Sequence, residues 1–199
     1  MPKPPPQSLH YAWVIAATAM LIVTAAVGLA RFAFGMVLPA MASDLQLGYQ
    51  AQGILSASYF AGYLAVVACM PWIAPRMSSN RLAIWGTGVV AVSLFILCLT
   101  RAYPLLLTSY FVTGIGSGMA FVGAMALPSL WFHPSHRGRA AGIATAGAGV
   151  GILFSGWLVP RIGHWGDFSS WQAVWAVFAL AGVAIFAAAK ILLVESPST

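Results

Sequence analysis

The sequence predicts an all-α membrane protein: six transmembrane helices built as an inverted repeat of three helices plus three. Three observations lead there. First, 61% of the 199 residues are hydrophobic and only 6% are charged, whereas a soluble domain carries about 25% charged residues. Water cannot surround such a chain, so lipid must cover most of its outside. Second, Asp, Glu, Lys and Arg are absent from 4–30, 45–75, 82–100, 102–136, 140–160 and 168–189, each a stretch of at least 19 residues. A spanning helix needs about 20 apolar residues, and an outer-membrane strand needs about 10 that alternate with polar ones. These stretches do not alternate. Third, Gly35-Met-Val-Leu-Pro39-Ala-Met41 near the end of the first stretch is echoed by Gly123-Ala-Met-Ala-Leu-Pro128-Ser-Leu130 near the end of the fourth. Three spans separate the starts of these helices, so they run in opposite directions, as inverted repeats require.

The elements follow in order. MPKPPPQS is polar and proline-rich, so residues 1–10 are expected to be a disordered cytoplasmic leader. The apolar run behind it exceeds the roughly 7–15 residues of a signal-peptide core and reads as an uncleaved first span. The membrane domain is expected over 11–194, with spans at about 11–40, 51–74, 82–100, 104–131, 139–160 and 171–194. Ser43-Asp44-Leu45 with Gly48 divides spans 1 and 2. Pro71, Pro75 and Ser78-Ser79-Asn80 divide 2 from 3, and Arg101-Ala-Tyr-Pro104 divides 3 from 4, with Pro104 suited to a first helical turn. His133-Pro134-Ser135 and then Gly163 to Ser170 separate the remaining pairs, and 195–199 is expected to be a cytoplasmic tail. Lys3, Arg76, Arg81, Arg137, Arg139 and Lys190 fall on one side, Arg101 and Arg161 on the other. By the positive-inside rule both termini are cytoplasmic. Trp13, Trp72, Trp131, Trp157, Trp165 and Trp171 lie near helix ends, as an interfacial belt requires.

Several function classes drop out. The formal charge is +6, but the basic residues are scattered between apolar runs rather than gathered in a stripe, so nucleic acid is not an expected partner. Cys69 and Cys98 lie inside apolar runs and read as small buried hydrophobes. His133-x-x-His136 has no third ligand nearby and reads as loop. Neither a metal nor a cofactor is expected. The chain offers no Ser-His-Asp set, no paired carboxylates and no phosphate-binding glycine loop, so it is not read as an enzyme. The three acids lie in loops or the tail, leaving no intramembrane carboxylate relay.

Across these spans the chain resembles the six-helix N-terminal half of the major facilitator superfamily. After span 2 that family carries Gly-x3-Asp-Arg-x-Gly-x2-Arg; here the register reads Pro71-x3-Pro75-Arg76-x-Ser78-x2-Arg81, keeping both arginines. In span 4 Tyr110-x3-Gly114-x-Gly116 stands where the family often has Arg-x3-Gly-x-Gly. Arg137-Gly-Arg-Ala-Ala-Gly142 resembles the family's entry into helix 5, and Gly28-Leu-Ala-Arg31-Phe-Ala-Phe-Gly35-Met-Val-Leu-Pro39 looks like the first helix of the YbfB/YjiJ branch. The resemblance implies a secondary transporter, or half of one. It would move a small solute, anionic on one reading, across the bacterial inner membrane by alternating access. It also implies a second six-helix half or a homodimer as partner, and a gating role for the loop arginines Arg76, Arg81, Arg137 and Arg139. The competing reading is a non-transporting membrane scaffold or an inactive fragment.

Arg31 is the sharpest site candidate. It lies about 30 Å along a charge-free helix at 1.5 Å per residue, and a charge in hydrocarbon costs about 2.5–3.5 kcal/mol. It either binds an anionic group such as a carboxylate, or snorkels outward or pairs with Asp44. At helical spacing Thr24, Gly28, Arg31 and Gly35 share one face, with Phe34 beside it. Gln52, Ser56, Tyr59 and Tyr63 form a stripe on span 2, and Tyr110, Thr113, Gly114, Ser117 and Phe121 form another on span 4. The family's helices 1 and 4 line its central path, so the resemblance singles out Arg31, Phe34, Tyr110, Ser117 and Phe121, followed by Tyr59 and Tyr63. Plain helix packing competes for each but Arg31. Gly147, Gly151 and Ser155 on span 5 read as a tight helix contact.

Overall fold

A computed structural model describes residues 9–162 and 170–193. The leader over 1–8, the connection at 163–169 with Trp165 and Asp167, and the tail expected at 195–199 lie outside the described residues. Span 1 is a continuous rod made of three pieces: α1 (Leu9–Val23), a π-helical segment (Thr24–Phe32) and α2 (Phe34–Asp44). Spans 2 to 6 are α3 (Tyr49–Ile73), α4 (Ser79–Leu99), α5 (Tyr103–Trp131), α6 (Pro134–Ile162) and α7 (Ser170–Leu192). Six rods are long and apolar enough to cross a bilayer. Leu153 and Ile191 are each 76% exposed, and Leu99, Leu180, Leu64 and Trp72 also face outward. An apolar surface that wide is covered by lipid, and the chain is an integral membrane protein.

Local chemistry fixes the helix ends. Ser78 caps α4, its Oγ accepting the Arg81 N–H at 3.4 Å. Pro104 sits in the first turn of α5, where no N–H is needed. After α2, Gln46 takes a left-handed conformation with φ of 51°, and the Leu47 N–H returns to the Ala42 carbonyl at 2.9 Å, closing the helix. Two boundaries differ from expectation. Span 1 runs on to Asp44 rather than stopping at 40, because Pro39 is accommodated inside the helix. α6 begins at Pro134 rather than at 139, because Pro134 starts a helix readily and Arg137 and Arg139 ride on its first turns.

Helices pack where side chains vanish. Gly28 of the π segment meets Gly151 of α6, where an added Cβ would fall 2.6 Å from the Gly151 Cα, and Gly147 lies against the backbone of Met20 and Thr24. On the other side of the bundle Gly62 of α3 lies against the Phe111 backbone, and Gly114 of α5 against the Tyr59 backbone. Exchanging spans 1–3 with spans 4–6 turns the span 1/span 5 contact into the span 4/span 2 contact. Both are glycine-mediated, as the inverted repeat requires. Tyr11 Oη donates to the Leu192 carbonyl at 2.8 Å, joining the start of span 1 to the end of span 6. The core divides lengthwise. One cluster is aromatic and lies around Phe34, Tyr59, Tyr110 and Trp175, toward the end that carries Asp44 and Arg101. The other is aliphatic, around Ile15, Ala83, Leu127 and Ala144, toward the end that carries Arg76, Arg81, Arg137 and Arg139.

Candidate functional site

The site grows from the π segment. Its wider turn shows in the Ala33 N–H bonding the Gly28 carbonyl five residues back, at 3.2 Å. Two tyrosines hold it from neighbouring spans. Tyr59 Oη on α3 donates to the Ala26 carbonyl at 3.3 Å, and Tyr110 Oη on α5 donates to the Ala30 carbonyl at 2.9 Å. Both tyrosines are buried, at 2% exposure. Gly114 lets the α3 and α5 backbones close to contact, and this brings the two rings to 5.5 Å between centroids.

Arg31 leaves the segment half-buried, its guanidinium 4.9 Å from the Phe60 ring centroid and 5.3 Å from that of Phe32. Aromatic faces compensate a cation that has left bulk water. Asp44, the one acid among the described residues, does not pair with Arg31. Trp171 Nε1 donates to Asp44 Oδ2 at 2.8 Å, and the Arg101 guanidinium lies 3.5 Å from the same oxygen. The expected alternative of an Arg31–Asp44 pair is therefore corrected: α2 carries Asp44 to the end of the bundle, where Arg101 in the connection after span 3 and Trp171 at the start of span 6 are its partners.

Phe34 stacks on Tyr110 at 4.3 Å and faces Trp175 at 6.4 Å; Tyr63 stacks on Tyr59 at 6.5 Å. Arg31, Phe34, Tyr59, Tyr63 and Tyr110 thus come together. Ser117 is fully buried on α5, and its Oγ makes no hydrogen bond within the described residues. Phe121, one turn further, packs with the aliphatic cluster instead and stands apart from this group. The shared face expected for Thr24, Gly28, Arg31 and Gly35 is also corrected. Thr24 Oγ1 bonds the Gly147 carbonyl at 3.0 Å and Gly28 meets Gly151, both on α6, while Arg31 turns to Phe60 on α3. The widened turns break the 3.6-residue phase on which that expectation rested. On α5, Thr113 likewise turns away from the site and bonds Ser93 Oγ of α4 at 2.8 Å.

Sequence reasoning passed over Phe60 and Trp175. Trp175 Nε1 meets Met41 Sδ at 3.5 Å and closes the aromatic group from span 6. Its signal was position: most of the tryptophans lie near helix ends, and Trp175 lies a turn further in. The loop arginines serve helix ends. Arg76 donates to the Trp72 carbonyl at 2.7 Å, Arg137 to the Phe132 carbonyl at 3.0 Å, and Arg139 lies 5.9 Å from the Trp13 ring; Arg81 is exposed on the first turn of α4. Two open grooves lie away from Arg31: about 640 Å³ beside Trp85, Ile96 and Phe186, and about 580 Å³ beside Ile54, Ala61 and Phe111. Their apolar walls suit lipid chains rather than a polar solute.

The Major Facilitator Superfamily model matches residues 20–199. The chain belongs to that superfamily. Among curated proteins, it is similar to sialin of Ovis aries, 27% identical over 154 residues, which are 75% of this chain and 30% of that protein. It is also similar to the MFS-type transporter opdF of Penicillium oxalicum, 33% identical over 92 residues, 44% of this chain and 20% of that one. A third is the probable anion transporter 4, chloroplastic, of Arabidopsis thaliana, 28% identical over 122 residues, 58% of this chain and 23% of that one. The chain thus spans 20–30% of the length of these major facilitator relatives.

Proposed function

We propose that this chain supplies half of the path of a secondary transporter, moving a small solute by alternating access, and that Arg31 recognises an anionic group on that solute. The observation that carries the reading is Arg31 itself. It is a guanidinium within a membrane span, shielded by two phenyl faces and without a carboxylate partner among the described residues. A permanent charge so placed is expensive unless it meets a counter-ion, and a guanidinium fork matches a carboxylate in two parallel hydrogen bonds. Phe34, Tyr59, Tyr63 and Tyr110 add an aromatic wall for the rest of the solute, and Ser117 adds a hydroxyl. A relative whose name describes it as a probable anion transporter is in keeping with this. Arg76, Arg81, Arg137 and Arg139 are read as the ends of the gate in the bacterial inner membrane, facing the cytoplasm. A complete path needs a second six-helix half, or a second copy of this chain, because the relatives are more than twice as long.

The test is a thermal-shift screen of small carboxylates and their uncharged amides against the purified chain, followed by uptake in vesicles holding the whole assembly. A ligand at 100 times its Kd adds about 2.7 kcal/mol of apparent stability. Carboxylates should raise the transition temperature and amides should not. Arg31→Ala should abolish the response and lower uptake at least about tenfold, the loss of roughly one charge-assisted pair; Arg31→Lys should keep part of both. Equal responses to acid and amide, or full uptake in Arg31→Ala, would refute the assignment. Absence of uptake in every assembly would favour a scaffold.

A further inference from the structure

We propose that the corner where α1 meets the start of α6 binds the phosphate of an anionic phospholipid, with Arg137 and Arg139 as its ligands and Trp13 as a positioning residue. The proposal goes beyond the transport reading and does not rest on it. Both arginines are exposed, and both are tied to one buried residue, Phe132. Arg137 Nε donates to the Phe132 carbonyl at 3.0 Å, which leaves its two terminal nitrogens without an acceptor among the described residues. The Phe132 ring meets the Trp13 ring edge-on at 5.1 Å, and the Arg139 guanidinium lies 5.9 Å from the Trp13 centroid. Arg139 makes no hydrogen bond among the described residues. Beneath them Ala12, Ala16, Phe132 and Ala140 form a small core of their own, which fixes the backbone that carries both arginines. Two guanidinium groups held at one corner by packing are pre-organised for a shared anion.

Charge and shape point to a lipid. The one acid among the described residues, Asp44, is held by Trp171 and Arg101 at the opposite end of the bundle. A phosphodiester complements the charge that this leaves at the corner. Trp13 lies near the start of span 1, where an indole sits at head-group depth. Ile143 and Val150 follow Arg139 along the same face of α6 at helical spacing, and both are exposed. Gly142 and Gly149 beside them open onto empty space. An acyl chain can lie along that smooth track while its phosphate meets the arginines above. Other arginines near tryptophans lack this arrangement. Arg76 donates to the Trp72 carbonyl one turn back, and Arg161 donates to the Trp157 carbonyl and lies 4.5 Å from that ring. Each is a single cation closed on its own stretch of chain.

The experiment places the full chain in phosphatidylcholine nanodiscs with increasing phosphatidylglycerol and counts retained lipid by native mass spectrometry. A single phosphatidylglycerol should be retained over phosphatidylcholine by at least about thirtyfold, the pull expected of two basic residues at a membrane surface. Arg139→Gln should weaken that retention at least about twentyfold, as expected for a lost charge-assisted, two-pronged contact. Arg76→Gln removes the same charge at the same end and should change it less than about fivefold, the general field of one basic residue. Arg139→Lys keeps the charge without the fork and should fall between wild type and Arg139→Gln. Trp13→Leu alters no charge and should still weaken retention about threefold, because it releases the Arg139 guanidinium. If Arg139→Gln does not fold, Trp13→Leu against Trp72→Leu, which should have no effect, carries the same contrast. Equal losses in Arg139→Gln and Arg76→Gln would reduce the effect to the general field of the bundle and overturn the proposal. Equal retention of the two lipids by the wild type would overturn it as well. Release of the lipid by soluble glycerol phosphate would assign the corner to a free phosphate and overturn the lipid. The readout needs no solute, so it fails or stands independently of Arg31 and uptake.

Discussion

At the scale of single residues, the two polar groups that differ most are Asp44 and Ser117. Asp44 binds a fully buried indole, Trp171, 1% exposed, and a mostly exposed guanidinium, Arg101. Removing the carboxylate strands the buried Trp171 N–H, whereas removing Arg101 returns a surface ion pair to water. Asp44→Ala should therefore cost about 1–3 kcal/mol and Arg101→Ala less than about 1 kcal/mol. Chemical denaturation in detergent compares them directly, and equal losses would show that the indole bond carries little. Ser117 lies at the opposite extreme, a buried hydroxyl with nothing to bond. Ser117→Ala removes that penalty at almost constant shape. It should raise the transition temperature by roughly 2–4 °C, the effect of about 1 kcal/mol on a chain of this size. A lower transition temperature would mean that the hydroxyl has a partner in the folded protein after all.

At the scale of elements, the helices are set by where glycine is needed and where it is not. A methyl at Gly114 would overlap the Tyr59 backbone, and one at Gly149 would meet nothing within 4 Å. Gly114→Ala should force α3 and α5 apart and yield aggregated or unstable protein. Gly149→Ala should be neutral or stabilising by up to about 1 kcal/mol through helix propensity. Size-exclusion profiles and melting curves distinguish them, and a well-behaved Gly114→Ala would disprove the close crossing. The spans themselves were legible in the sequence because charges are excluded from hydrocarbon and so mark its edges. The start of α6 was less so, since Arg137 and Arg139 resemble a loop until they are seen riding on a helix begun by Pro134. The π segment was not legible at all. Thr24–Phe32 holds no proline, and its register comes from Tyr59, Tyr110 and Gly151, residues distant in sequence. For the same reason the sequence put Arg31 on one face with Thr24 and Gly28, and placed Phe121 nearer to it than the packing does.

At the scale of the whole molecule, charge and topology make one joint statement. Arg76, Arg81, Arg137, Arg139 and Lys190 border one end of the bundle, and Arg101 and Arg161 the other, where Asp44 partly offsets Arg101. Tyr11 bonding to Leu192 puts the first and last spans' outer ends together at the richer end. Basic residues resist translocation, so the richer end should stay in the cytoplasm. Single cysteines at Gly48 and Ser135, in a chain lacking Cys69 and Cys98, test this. Gly48 precedes α3 at the poorer end and has open space around it, while Ser135 opens α6 at the richer end. An impermeant maleimide applied to intact cells should label the Gly48→Cys chain. It should label the Ser135→Cys chain only after the membrane is opened. The reverse pattern would invert the protein in the membrane, and would place the Arg31 half of span 1 toward the cytoplasm instead of away from it. Labelling of both sites from outside would break the six-span topology itself, because an even number of crossings separates the two chain ends and an odd number separates these two loops.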